Sequence, residues 1–412
     1  MFNYTMLIFD SIGFGSAFAL LVPFSYAPDI AFDISGMWYA APSIIIIFYF
    51  LNILGQFISS STRKKEEYSK KHVLLWGIVE RLGFILIFLS LKFFLDSQII
   101  LPLFFITYAI FVYSAGAILP AYFDLVSRVL YKLRAIFFAA NLTMGSLAGF
   151  LVSRYVDIQI QSEGLVEGFL DGLLIVIIVT SISLIPLGLI REPKDVNQLK
   201  TRLSIKNIYK KLDEWYEIYK SNKNIKVISQ SNIVSSIPES MTPFFTIWLI
   251  GQYELGSEKI GIWVTLLLIS QSLGSFFVPI VASKIGFKFT YIFGLIFHTF
   301  ASLCFIVSPV NLQNYIFIFA GLGLGTFFTS QSNIAVEVGN LGDAGNTNAM
   351  LTVFRLPGLL IGPFVYAYFV DIENIIFFLI LSLVSSTAGG VIMFKNMKIK
   401  ILPQIRFWAK DT

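Results

Sequence analysis

Three side chains stand where chemistry is expensive: Asp10, Glu239 and Arg355 each lie inside a long apolar run. A charged group at membrane depth persists where it faces a partner, a cavity or water, so each one marks a candidate path for an ion or solute. Glu239 sits between Pro238 and Pro243, in a segment that also holds Ser235, Ser236, Ser240 and Thr242. A carboxylate among prolines and hydroxyls can bind a substrate or carry a proton. Arg355 can clamp an anion or neutralise Glu239 or Asp10, and its alternative is to snorkel toward the interface. Asp10 is near enough to the start of its run to be simply hydrated.

The elements that must position these groups are membrane helices. The 412 residues are 56% hydrophobic and only 13% charged, against about a quarter charged in a soluble protein. Runs of about 20 apolar residues span a bilayer. They fall at 5–27, 37–59, 73–95, 99–125, 135–156, 169–190, 228–251, 260–282, 288–308, 313–337, 347–370 and 374–394, which makes twelve spans. The first is read as a retained span, because no Lys or Arg precedes it and no clean cleavage site follows. Of the 30 Lys and Arg, 25 fall on one side of this topology. Only Lys92, Arg154 and Lys259 fall on the other, while Arg81 and Arg355 lie within spans. The positive-inside rule then puts both termini in the cytoplasm of a multi-pass protein of the cell membrane. The basic balance is thus read against lipid, with no nucleic-acid partner expected. One cysteine, Cys304, and two histidines, His72 and His298, leave no disulfide framework and no expected metal or other cofactor.

The chain divides into a first six-span half (1–190), a linker (191–227), a second half (228–394) and a basic tail (395–412). In the linker Ile205, Ile208, Leu212, Trp215 and Tyr219 recur at steps of three and four. That spacing predicts an amphipathic helix on the membrane surface or under the bundle. The halves also match in order. Ser11-Ile12 falls on Ser236-Ile237, Gly36-Met37-Trp38 on Gly261-Ile262-Trp263, and Gly77 and Arg81 on Gly294 and His298. Two basic islands, GQFISSSTRK (55–64) and PIVASKIGFK (279–288), follow the second span of each half. Parallel six-span halves are one plan of secondary transporters, which bind substrate near the midplane.

Twelve spans in two halves, a long middle loop and paired islands resemble the major facilitator superfamily, whose loop signature reads approximately G-x-L-a-D-R-x-G-R-K. Gly55, Phe57, Ile58, Ser59, Thr62, Arg63 and Lys64 take its positions in the first half. Pro279, Val281, Ala282, Ser283, Lys284, Gly286 and Lys288 take them in the second. Both copies have serine, Ser59 and Ser283, in place of the aspartate. The resemblance implies an all-α polytopic fold and a cytoplasmic gate. In that gate Arg63, Lys64, Lys284 and Lys288 pair with Asp124 and Glu337, near the ends of spans 4 and 10. It also implies that spans 1, 4, 7 and 10 line the path, which adds Tyr113, Gln331 and Asn333 to Asp10, Glu239 and Arg355. Glu80 and Arg81, in span 3, are expected at the bundle's periphery as a structural pair or as snorkelling residues, and His298 is expected to be structural as well.

The expected function is secondary active transport of a small solute by alternating access, with protons as the candidate coupling ion and a monomer as the working unit. The sequence contains no G-x-x-x-x-G-K-[ST] loop, so no nucleotide is expected to drive it. Span 4 lacks a core arginine and span 5, with GSLAGFLVSRY, lacks G-x-x-x-G-P, which disfavours the proton-coupled drug exporters of the family. An alternative is a membrane enzyme acting on a lipid-linked substrate. Its acids would be Asp29, Asp33, Asp157, Glu163, Glu167, Asp171, Asp371 and Glu373, which lack compact spacing and histidine. A non-transporting sensor of the same fold is a further alternative.

Overall fold

The computed structural model describes residues 2–62, 69–130, 134–193, 205–251, 253, 255, 259–338, 344–368 and 372–397. In hydrocarbon every backbone polar group must be satisfied within its own segment, so the apolar runs become helices. In the first half these are α1 (Phe2–Leu21), α2 (Ala27–Asp33), α3 (Ala40–Thr62), α4 (Ser69–Phe94), α5 (Ile100–Val129), α6 (Arg134–Glu163) and α7 (Leu165–Leu189). After α8 (Ile205–Ser221) come α9 (Lys223–Gly251), α10 (Ile260–Ile285), α11 (Phe287–Val307), α12 (Gln313–Val338), α13 (Ala344–Tyr368) and α14 (Ile372–Asn396). Leaving aside the short α2 and the linker helix α8, twelve long helices remain.

Among the described residues eleven helices are long and apolar enough to cross a membrane unaided. The twelfth is α12, whose glycines and run of Thr, Ser, Gln and Asn lower its hydropathy; it is held between α10 and α11. The first span ends earlier than its apolar run suggests. The chain leaves α1 at Leu21 and forms α2, with proline in its first turn.

Large apolar side chains such as Phe93, Leu151 and Ile185 point outward from the bundle. That is an exterior for lipid, since a soluble surface does not carry so much contiguous apolar area. Because lipid is as apolar as leucine, helix association here rests on close packing and buried hydrogen bonds.

The same contacts occur in both halves: α3 packs on α5 as α10 packs on α12, α4 on α5 as α11 on α12, and α1 on α6 and α7 as α9 on α13 and α14. Reciprocal glycines make the α3–α5 and α10–α12 crossings possible. A Cβ on Gly55 would stand 2.3 Å from the Tyr113 carbonyl oxygen, and one on Gly116 would stand 2.0 Å from that of Asn52. In the second half a Cβ on Gly274 would stand 2.7 Å from the Leu322 oxygen, and one on Gly325 2.1 Å from that of Gln271. Gly274, not Pro279, therefore takes the place of Gly55. The residue-by-residue alignment of the two islands is thus corrected by packing. In the second island Gly286 has φ +90°, a conformation that lets α10 end and α11 begin at once.

The halves meet chiefly where α3 lies against α13 and α6 lies against α10, where Thr143 and Ser272 exchange hydrogen bonds of 3.3 Å. Trp215 of α8 is buried and joins the halves. Its indole lies 5.5 Å from the Phe57 ring and its Nε1 donates to Asn346 Oδ1 at 2.9 Å. We refer to this side of the bundle as the α8 face.

Candidate functional site

Both halves line one cavity of about 310 Å³. The charged residues on its wall are Asp10, Glu80, Arg81, Glu239 and Arg355, interleaved with Phe14, Phe18, Phe48, Phe328 and other apolar groups. The charges form two separate sets.

The second-half set is a pair. Glu239 stands mid-way along α9 and Arg355 lies three turns into α13; the two elements pack along their length. Arg355 Nη2 donates to Glu239 Oε2, and Arg355 Nε donates to Ser236 Oγ at 3.0 Å. The guanidinium also lies 5.4 Å from the Phe327 ring and 5.5 Å from the Phe328 ring, a cation–π arrangement. Both residues are about 95% buried. Of the three expected roles of Arg355, neutralisation of Glu239 is the one the geometry displays.

The first-half set corrects the expectation that Glu80 and Arg81 sit at the periphery. Arg81 reaches from α4 into the cavity wall and is held by Glu80 Oε2, by the Gly77 and Thr180 carbonyls, each at 3.2 Å, and by Ser183 Oγ at 3.2 Å. Asp10 of α1 lies 3.9 Å from Arg81 Nη2, at the outer limit of an ion pair. Asp10 is largely buried and lines the cavity. Two carboxylates thus share one guanidinium. His298 is buried against Gly323, where a Cβ would stand 2.9 Å from its ring, and it does not line the cavity.

Of the other expected path residues, Gln331 lines the cavity. Asn333 is buried outside the lining and its Nδ2 donates to the Thr329 carbonyl at 2.8 Å. Tyr113 faces Trp76 at 5.6 Å, edge to face, and also stands off the cavity. Tyr49, Asn52 and Gln56 of α3 belong to the wall instead. Gln56 stands within GQFISSSTRK at a position where the signature accepts any residue, so its role had no signal in the sequence.

Arg63 and Lys64 lie outside the described residues. Lys284 is exposed in the last turn of α10. Lys288 Nζ donates to the Phe394 and Met397 carbonyls at 2.8 and 2.7 Å, closing the end of α14. Glu337 is half-buried at the end of α12, with Arg134 of α6 as a charged neighbour. Asp124 is buried at the α8 face, and its Oδ1 accepts the Gly345 N–H at 2.8 Å. Gly345 begins the first turn of α13, so an acid of the first half caps a helix of the second. A Cβ on Gly345 would come 1.9 Å from the Pro120 carbonyl oxygen.

Glu192, beyond α7, is a further carboxylate of this face. It accepts the Ser69 and Lys70 N–H groups at the start of α4, each at 2.9 Å, and pairs with Arg128 at 3.3 Å. No motif marks it, because its partners are more than 60 residues away.

Fold and cavity together define a twelve-helix, two-half membrane bundle with a charged central chamber. The fold is that of the major facilitator superfamily. Two similar structures are a "bacterial homologue of iron transporter ferroportin" in the outward-facing state, one of them with soaked iron. The iron-soaked structure has a TM-score of 0.67 and 13% identity, over 96% of this chain and 99% of that one. The other has a TM-score of 0.67 and 14% identity, over 95% and 98%. A third is the major facilitator superfamily transporter FucP in the outward conformation, with a TM-score of 0.64 and 10% identity over 97% and 98%. No family model matches the sequence, and no curated protein matches it.

Proposed function

We propose that the protein is a secondary transporter of the cell membrane that moves a small solute by alternating access, with protons as the coupling ion. Both termini are cytoplasmic and the working unit is a monomer. The observation that carries this reading is the cavity itself. One chamber is walled by both halves, with charged groups from each, where rocking of the halves exposes it to either side in turn. The α8 face is the cytoplasmic gate. There Asp124 on the α13 N-terminus stands in for the latch carboxylate that Ser59 does not provide, and separation of the halves breaks this bond.

The iron named for two similar structures is not carried over. Among the described residues no three His, Cys, Asp or Glu side chains gather at one point. The test is a thermal-shift screen of sugars, amino acids and organic ions on the purified protein. It is followed by uptake of the stabilising solute into proteoliposomes, with and without a proton gradient. Gradient-driven accumulation is expected. Binding without flux would identify a sensor, and turnover of a lipid-linked donor without flux would identify an enzyme; either result rejects the transporter.

A further inference from the structure

We infer that the central cavity selects a small organic cation, an ammonium with N–H donors on an aromatic or aliphatic body, and holds it against Asp10. The inference deepens the transporter reading and rests on the same cavity.

Charge is the first support. Three carboxylates and two guanidiniums line the wall, so the fully ionised lining carries one excess negative charge. Each guanidinium already has a carboxylate partner. Arg355 is engaged by Glu239, Ser236 and two phenylalanine rings, and Arg81 by Glu80, two carbonyls and Ser183. Asp10, at 3.9 Å from Arg81 and with the Ser183 hydroxyl beside it, has the longest charged contact of the three acids.

Hydrogen bonding is the second and independent support. Four polar atoms of residues on the wall are buried and have no hydrogen-bond partner among the described residues: Tyr49 Oη, Gln56 Oε1, Thr329 Oγ1 and Gln331 Oε1. All four residues are more than 95% buried. A buried polar atom left unpaired is costly, and a native site usually keeps it for a ligand or water. Two of the four are amide oxygens, which only accept, and the two hydroxyls can accept as well. The wall therefore calls for donors and positive charge. The phenylalanines around it suit the apolar body of such a cation and attract its charge through their faces. A hard metal ion, in contrast, requires a shell of oxygen ligands that this mostly apolar wall does not supply.

The test uses three probes of one shape on the purified full-length protein: 2-phenylethylammonium, 2-phenylethanol and 3-phenylpropanoate, titrated calorimetrically at neutral pH. The ammonium is expected to bind at least about tenfold more tightly than the alcohol, with the carboxylate weakest. Asp10→Asn is expected to reduce the ammonium's advantage to within about twofold. Gln331→Met, which keeps every charge, is expected to weaken all donor-bearing probes while preserving the ammonium's preference. Equal affinities, a preference for the alcohol or the carboxylate, binding of none of the three, or binding of Mn²⁺ alone would overturn the assignment. Flux separates it from the transporter reading. An ammonium that binds but does not cross the bilayer leaves the assignment standing and rejects transport. A neutral or anionic probe that binds and crosses does the reverse.

Discussion

The two halves share a plan of helix contacts but solve the problem of buried charge differently. In the second half one acid meets one base: Glu239 and Arg355 are joined directly, Ser236 accepts a second bond from the guanidinium, and two aromatic rings lie beside it. In the first half Arg81 serves both Glu80 and Asp10, and two of its remaining bonds go to backbone carbonyls. A balanced pair closes its own account of charge and is suited to hold two helices together. An unbalanced triad leaves charge over, and that remainder is what a ligand can answer. The difference teaches that duplicated halves need not duplicate chemistry. His298 stands where the sequence places the counterpart of Arg81, yet it is packed against Gly323 and takes no part in the cavity.

The comparison is broken most severely at the pair. Arg355→Met leaves Glu239 buried without its cation, and loss of one partner of a buried pair typically costs about 3–5 kcal/mol. A large fall in the thermal unfolding midpoint in detergent is expected, with much of it recovered in the Glu239→Gln/Arg355→Met double variant. Glu80→Gln, in the other half, leaves Arg81 with Asp10 and is expected to lower the midpoint far less. Equal losses from the two substitutions would remove the distinction between the sets.

A smaller effect is expected where the halves touch. Asp124→Ala removes the cap on α13, a change that typically costs about 0.5–2 kcal/mol. Asp124 and Gly345 come from opposite halves, so the loss should appear as a shift between conformations and only weakly as unfolding. Paired spin labels on the α8-face ends of α5 and α13 are expected to show a greater share of the separated state. Gly345→Ala should push in the same direction, because its Cβ would meet the Pro120 carbonyl. Unchanged distance distributions in both variants would remove the latch.

The smallest effect is expected from Trp215→Phe, which loses the bond to Asn346 and retains most of the ring packing on Phe57. A neutral hydrogen bond contributes about 1 kcal/mol. The expected readout is faster hydrogen exchange confined to α8, with the cavity's probe preference unaltered.

Several features were legible in the residues before any coordinates. Asp10, Glu239 and Arg355 were visible because charge in an apolar run is rare at any position. The repeat was visible in the order of its matches, and the linker helix in the spacing of Trp215 and Tyr219. Illegible were the partners. Glu80 and Arg81 read as peripheral because nothing local records that α4 lies against α7 at the level of Thr180 and Ser183, with Arg81 extending toward Asp10 of α1. Equally illegible were the Asp124 bond to a backbone amide and the Lys288 bonds at the end of α14, since a backbone N–H or C=O has no identity in the sequence.

What the sequence by itself determined is the set of twelve spans, their basic-side asymmetry and the six-plus-six repeat. These depend on hydropathy, length and charge, which each segment carries independently of its neighbours. Only the tertiary structure decided which charges face one another, which glycines set the register between the halves, and which polar atoms are left unpaired around the cavity. Those facts arise where helices far apart in the chain cross, and a rotation of one residue about a helix axis suffices to turn a side chain from lipid to cavity.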